Sequence, residues 1–210
     1  MYELYLVTDE KASLGRNIID VVRQALKGGV TVVQLREKEL NTRRFVEKAS
    51  ELKKILKPYN VPLIINDRID IALAVEADGV HIGQNDMPLE LVKKIVPGNM
   101  IIGLSVETLQ QVKEAEVLDV DYLGVSPIFS TPTKTDFDDK PWGLEDLRKA
   151  REISKHILVA IGGINAENAE DVIKAGADGI AVVSGICSAD NPETASRDLM
   201  QIVKNSKLKL

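Results

Sequence analysis

Eight short runs rich in β-branched and other apolar residues recur along the chain: Glu3–Thr8, Thr31–Arg36, Pro62–Asn66, Gly79–Ile82, Met100–Leu104, Tyr122–Ser126, Ile157–Ile161 and Gly179–Val183. Amphipathic segments of helical length lie between them. The runs recur about every 26 residues, room for one strand, one helix and two short loops. Alternating strands and helices predict a parallel sheet covered by helices, and eight such units close into a (β/α)8 TIM barrel of the α/β class, one domain over residues 1–210. The helices carry their own punctuation. Asn41 is placed to cap a segment whose Phe45, Ala49, Leu52 and Leu56 share a face, with Pro58 just past its end. Asn165 is expected to cap Ala166–Ala175, which stops at Gly176. The near copies Ala77-Asp78-Gly79-Val80 and Ala177-Asp178-Gly179-Ile180 each lead from a helix into a strand. That position is the stability end of a barrel, so turn geometry is their expected role.

Composition narrows the class. A chain of 210 residues, 44% hydrophobic and 28% charged, can bury a core and is neither disordered nor collagen-like. Its 27 basic and 32 acidic side chains give a net charge of −5. That balance argues against nucleic acid as a partner, because such binding is driven by phosphate neutralisation. The longest apolar stretches fall well short of the roughly 20 residues of a membrane helix, so no membrane association is expected. The only cysteine is Cys187 and the start MYELYLVTDE lacks a signal core, which points to a cytoplasmic location. The sequence leaves homo-oligomer formation open. One long connection, Pro127 to Gly143, is polar and charged and is the expected mobile lid.

In TIM barrels the chemistry gathers at the C-terminal strand ends. Gly162-Gly163 after the seventh run and Ser184-Gly185 after the eighth stand where such barrels hold a phosphate, although the glycines also suit tight βα turns. Arg36 and Lys38 flank Glu37 past the second run, and in an extended segment they project to one side. With Thr131, Thr133 and Lys134 of the long connection they suit an anion-rich ligand, while the bare charge triplet also fits solvated surface. Asp67 and Asp86 end neighbouring runs and would meet at one rim. Two carboxylates with phosphate oxygens and water make a usual set for Mg²⁺; the plainer alternatives pair Asp67 with Arg68 or Arg36 and let Asp86 cap a helix over Met87–Val96. His81, inside a run, and His156, at the far end, are expected to be structural. Cys187 reads as a small buried hydrophobe and Trp142 as lid packing. Two anion sites, a divalent metal and no nucleophile system suggest departure of a diphosphate and its replacement by a phosphate-bearing substrate, with Lys134 and the metal stabilising the leaving charge.

The motifs LYLVTD, QLREK, INDR, GVHIGQND, GLS, GVSPIF, TPTK, AIGGI and VVSGI, in this order, resemble those of the thiamine phosphate synthase family over nearly the whole chain. The resemblance implies a transferase that joins hydroxymethylpyrimidine diphosphate to hydroxyethylthiazole phosphate with Mg²⁺. It implies contacts to the pyrimidine diphosphate from Gln34, Leu35, Arg36, Glu37, Lys38, Asn66, Ser105 and Lys134, among which Lys134, Arg36, Lys38 and Ser105 are the catalytic candidates. Asp67 and Asp86 are implied as magnesium ligands. Thr131, Pro132, Thr133, Gly163, Val183 and Ser184 are implied at the thiazole phosphate. The related thiazole tautomerases need neither the paired carboxylates nor the Thr131–Lys134 segment. A non-catalytic phosphate-sensing barrel is the reading from another class.

Overall fold

In the computed structural model, which describes residues 1–131 and 140–209, eight parallel strands close into a barrel in sequence order. The elements alternate as β1 (Leu4–Val7), α1 (Ile18–Lys27), β2 (Val32–Leu35), α2 (Thr42–Leu56), β3 (Leu63–Asn66), α3 (Ile69–Ala74), β4 (Gly79–Ile82), α4 (Leu89–Ile95), β5 (Ile101–Val106), α5 (Leu109–Ala115), β6 (Tyr122–Val125), α6 (Gly143–Ile153), β7 (Ile157–Ile161), α7 (Ala169–Lys174), β8 (Gly179–Val182), α8 (Ser184–Cys187) and α9 (Pro192–Lys207). All eight predicted strands are present. The fifth runs two residues further than its apolar core, because Ser105 and Val106 pair with Gly124 and Val125 of β6. Ser105 therefore sits on a strand rather than on a loop.

Period-two alternation divides the strand side chains between two cores. One set, including Tyr5, Val7, Val32, Ile64, Tyr122, Val159 and Ala181, fills the barrel interior. The other, including Leu4, Leu6, Val33, Leu35, Leu63 and Ile65, packs outward against the helices. The predicted caps mostly stand. The Asn41 side chain accepts from the Arg44 amide at 3.0 Å, and Gly176 takes a left-handed φ of 106°. The Asn165 expectation needs correction: α7 begins at Ala169 behind Asn168, because the Asn165 side chain is spent on the Glu167 amide, at 2.8 Å, closing a turn ahead of the helix. Likewise α4 is shorter than Met87–Val96, with Pro88 at its cap.

The strand starts show a repeated device that the Ala-Asp-Gly copies only partly disclose. The side chains of Asp78 and Asp178 accept from the Leu63 and Leu158 amides, each at 2.8 Å. Asp121 does the same for Ile102 at 2.8 Å, and Thr31 for Leu4 at 3.1 Å. In every case the backbone amide of the same residue donates to the carbonyl of that partner. Each even strand is thus preceded by a residue that grips its odd predecessor at two points. Among the described residues no helix is long and apolar enough to cross a membrane.

Candidate functional site

A cavity of about 380 Å³ opens at the C-terminal strand ends, a volume suited to a small molecule. Alternation along β2 and the residues after it decides what reaches it. Gln34, Arg36 and Lys38 line the cavity. The side chains of Leu35 and Glu37, expected among the contacts, point away from it. Leu35 is fully buried against the helices. The Glu37 side chain is 5% exposed and accepts from Lys48 of α2 at 2.5 Å, and Lys48 also bonds Glu10. Burial would lower the Lys48 ammonium, but its bonds to Glu10 and Glu37 hold it above its ordinary value.

Two ion pairs stand inside the rim. Arg36 Nη1 lies 3.1 Å from Asp9 Oδ2, and Lys38 Nζ 2.6 Å from Asp67 Oδ2. Neither plainer pairing of Asp67, with Arg68 or Arg36, is the one observed: Arg68 turns to Asp70. Asp67 takes a left-handed φ of 60°, a conformation aspartate tolerates better than most side chains, and this bends the chain off β3 so that its carboxylate enters the cavity. On the next strand's loop, Asp86 Oδ2 accepts from the Gly83 amide at 2.7 Å. Burial raises the Asp86 carboxyl above the ordinary carboxylate range; its bond from Gly83 opposes this, and the neighbouring Asp67 carboxyl adds to it.

That donor chemistry fits magnesium. Among the described residues no group of three or more His, Cys, Asp or Glu side chains could enclose a metal. Asp67 and Asp86 offer two neighbouring carboxylates, both partly buried, and Mg²⁺ is commonly bound through one or two carboxylates while keeping water or phosphate oxygens.

Across the barrel, Gly163, Val183 and Ser184 line the opposite wall. Gly162 and Gly163 have φ of 105° and 64°, and a Cβ on either would come within 2.8 Å of Pro127 or Phe129. Tight packing therefore demands these glycines whether or not they also face an anion. Asn168 Nδ2 holds the Gly163 carbonyl at 3.0 Å, a support that the misplaced cap at Asn165 concealed. Asn66, Ser105 and Thr131 also line the cavity. Pro132, Thr133 and Lys134 lie outside the described residues, as does the rest of the expected lid through Asp139. Trp142, at the return of that connection, is buried and donates to the Ser126 carbonyl at 3.2 Å. Cys187 is buried, and burial pushes its thiol up to about 11, against a nucleophilic role.

His81, expected to be structural, stands at the cavity wall. Its Nδ1 lies 2.9 Å from the Tyr122 hydroxyl and its Nε2 2.8 Å from Ser105 Oγ. Its inward place in the β4 alternation was the available signal. His156 is indeed remote, its Nε2 on the Ala115 carbonyl.

Residues 4–186 match the family model described as thiamine monophosphate synthase. The chain is 56% identical over 200 residues to a protein of Albidiferax ferrireducens named thiamine-phosphate synthase, covering 95% of this chain and 91% of that one. It is 49% identical over 203 residues to one of the same name from Vibrio campbellii, covering 97% and 98%. The solved thiamine phosphate pyrophosphorylase of Pyrococcus furiosus superposes with a TM-score of 0.90 at 42% identity, over 98% of this chain and 96% of that one. A 3-hexulose-6-phosphate synthase from Salmonella typhimurium, at 18% identity and a TM-score of 0.71, shares the fold. With a barrel whose rim gathers cations, paired carboxylates and a glycine turn, this chain belongs to the thiamine monophosphate synthase family of transferases.

Proposed function

We propose that the cavity takes 4-amino-5-hydroxymethyl-2-methylpyrimidine diphosphate and hydroxyethylthiazole phosphate together and joins them with release of pyrophosphate. The observation that carries the reading is the division of the rim. Arg36, Lys38, Asp67 and Asp86 stand on the β2 to β4 side, and Gly163, Val183 and Ser184 on the β7 and β8 side of the same cavity. Opposed walls of this kind let a diphosphate and a monophosphate be held with their heterocycles between them, which is the orientation a bimolecular substitution needs.

In this mechanism the bond between the pyrimidine methylene and the diphosphate oxygen breaks, and its electron pair leaves with the diphosphate. Arg36 and Lys38 exchange their carboxylate partners for phosphate oxygens and hold the growing charge, and Lys134 is assigned to the same group. Asn66 and Ser105 orient the pyrimidine, whose amino group supports the methylene cation. The thiazole nitrogen, presented by Thr131, Pro132, Thr133, Gly163, Val183 and Ser184, then forms the new carbon–nitrogen bond. Asp67 and Asp86 would hold Mg²⁺, which when bound supplies charge neutralisation to the leaving diphosphate. The single, buried Cys187 supports a cytoplasmic setting.

The test is to mix the two substrates with and without Mg²⁺ and measure pyrophosphate and thiamine phosphate. Equimolar, metal-dependent formation of both is expected. Binding of either ligand without pyrophosphate release would instead favour the sensing barrel.

A further inference from the structure

Five inward side chains from five different strands form one unbroken hydrogen-bonded chain across the barrel. Gln34 Nε2 donates to the Tyr5 hydroxyl at 2.9 Å, and the Tyr5 and Tyr122 hydroxyls are 2.7 Å apart. The Tyr122 hydroxyl meets His81 Nδ1, and His81 Nε2 meets Ser105 Oγ, at the distances given above. Space for it is made on the strands between. Gly103 pairs in register with both His81 and Tyr122, and a Cβ there would lie 2.1 Å from the Tyr122 ring. Gly124, opposite Ser105, would put a Cβ 3.0 Å from His81. Tyr122 reaches His81 only because β5 presents no side chain at that point.

Proton counting gives this chain a direction. Burial raises both phenols well above their ordinary range, so each keeps its single proton. An amide nitrogen can only donate. With Gln34 donating to Tyr5, the arrangement that gives each hydroxyl one donor and one acceptor has Tyr5 passing its own proton to Tyr122. Tyr122 in turn donates to His81 Nδ1, which must present a lone pair. The imidazole proton then lies on Nε2 and points at Ser105 Oγ. Ser105 accepts it, and its own O–H is turned to the cavity.

We propose that Tyr5, Tyr122 and His81, with Gln34 as the terminal donor, are positioning residues that fix the Ser105 hydroxyl as a donor to the ligand. The group it recognises is an acceptor such as the lone pair of a heteroaromatic ring nitrogen. Ligand identity here rests on the pyrimidine reading above, but the polarity of the chain does not.

The experiment has two arms. The protein has only two histidines, so a two-bond ¹H–¹⁵N correlation spectrum of the ligand-free protein at neutral pH, with His156→Gln for assignment, reads the His81 tautomer directly. The Nε2–H form is expected, and an Nδ1–H form would overturn the proposal. Tyr122→Phe, or Tyr5→Phe should the first fail to fold, is expected to erase that tautomer preference. The second arm is a double-mutant cycle on kcat/KM for the pyrimidine substrate. Tyr122→Phe should lower it roughly tenfold in the parent, yet by less than about twofold in a Ser105→Ala background, since residues acting as a unit are not additive. Equal losses in both backgrounds would refute action through Ser105. A protein without synthase activity would sink the functional reading and leave the tautomer arm to decide the relay.

Discussion

Lys48→Met tests how the rim that carries Arg36 and Lys38 is anchored. Lys48, 17% exposed, ties Glu37, 5% exposed, at 2.5 Å, and bonds Glu10 at the surface. At an effective dielectric constant near 20, the Glu37 attraction alone is about 7 kcal/mol before desolvation. Most of that offsets the cost of removing both charges from water. Removing one partner of a fully buried pair costs about 3–5 kcal/mol, because it strands the other charge. Water reaches Lys48 and Glu10, so the expected loss here is about 2–3 kcal/mol, which for a chain of this size lowers Tm by roughly 5–10 °C. The carbonyl side of Glu37 leads straight into Lys38, so KM for the pyrimidine diphosphate should rise as well. Thermal melts and initial rates on Lys48→Met, Glu37→Leu and the double variant separate the contributions. The double variant should recover at least half of the lost stability, since no charge is left stranded. A Lys48→Met protein within about 0.5 kcal/mol of the parent would show that Glu37 is solvated and the anchoring argument wrong.

Three further outcomes are expected. Asp67→Ala and Lys134→Ala should each lower turnover about a hundredfold or more in a protein that still folds, as for loss of a principal electrostatic stabiliser; near-normal rates in both would refute their assignment. Asp86 has a folded-state acidity weakened by burial and by Asp67, so it takes up protons on folding; its contribution to stability is greatest at acid pH and is lost as pH rises through the raised value. At neutral pH Asp86→Asn should thus melt above the parent while losing stabilisation by added Mg²⁺, and a lower melting point would contradict the argument. Cys187→Ala should keep its activity, and a folded variant with no turnover would point to covalent chemistry.

The barrel was legible because β-branched runs at even spacing leave few alternatives, and the rim because its polar residues directly follow those runs. What stayed hidden was three-dimensional convergence. Period-two alternation says that Gln34, Tyr5, Tyr122, His81 and Ser105 each face inward, but not that strands one, two, four, five and six bring them to one line. That line depends on Gly103, whose importance is the absence of a side chain. The same limit accounts for Leu35 and Glu37, which a contiguous motif groups with Arg36 although the pleat sends them to the opposite face. Asn165 and Asn168 are equally good caps in one dimension, and only the turn between them separates the two.

The two-point grips made by Thr31, Asp78, Asp121 and Asp178 arrange the closed sheet as four successive quadrants, each an odd strand latched to its even successor. Circular permutants opened ahead of β3, β5 or β7 keep every latch on contiguous chain, whereas openings inside a quadrant turn one local closure into a long-range one. Refolding should be slower for the second set than for the first, so this periodicity makes the barrel modular in its assembly even though its catalytic mouth draws on nearly every strand.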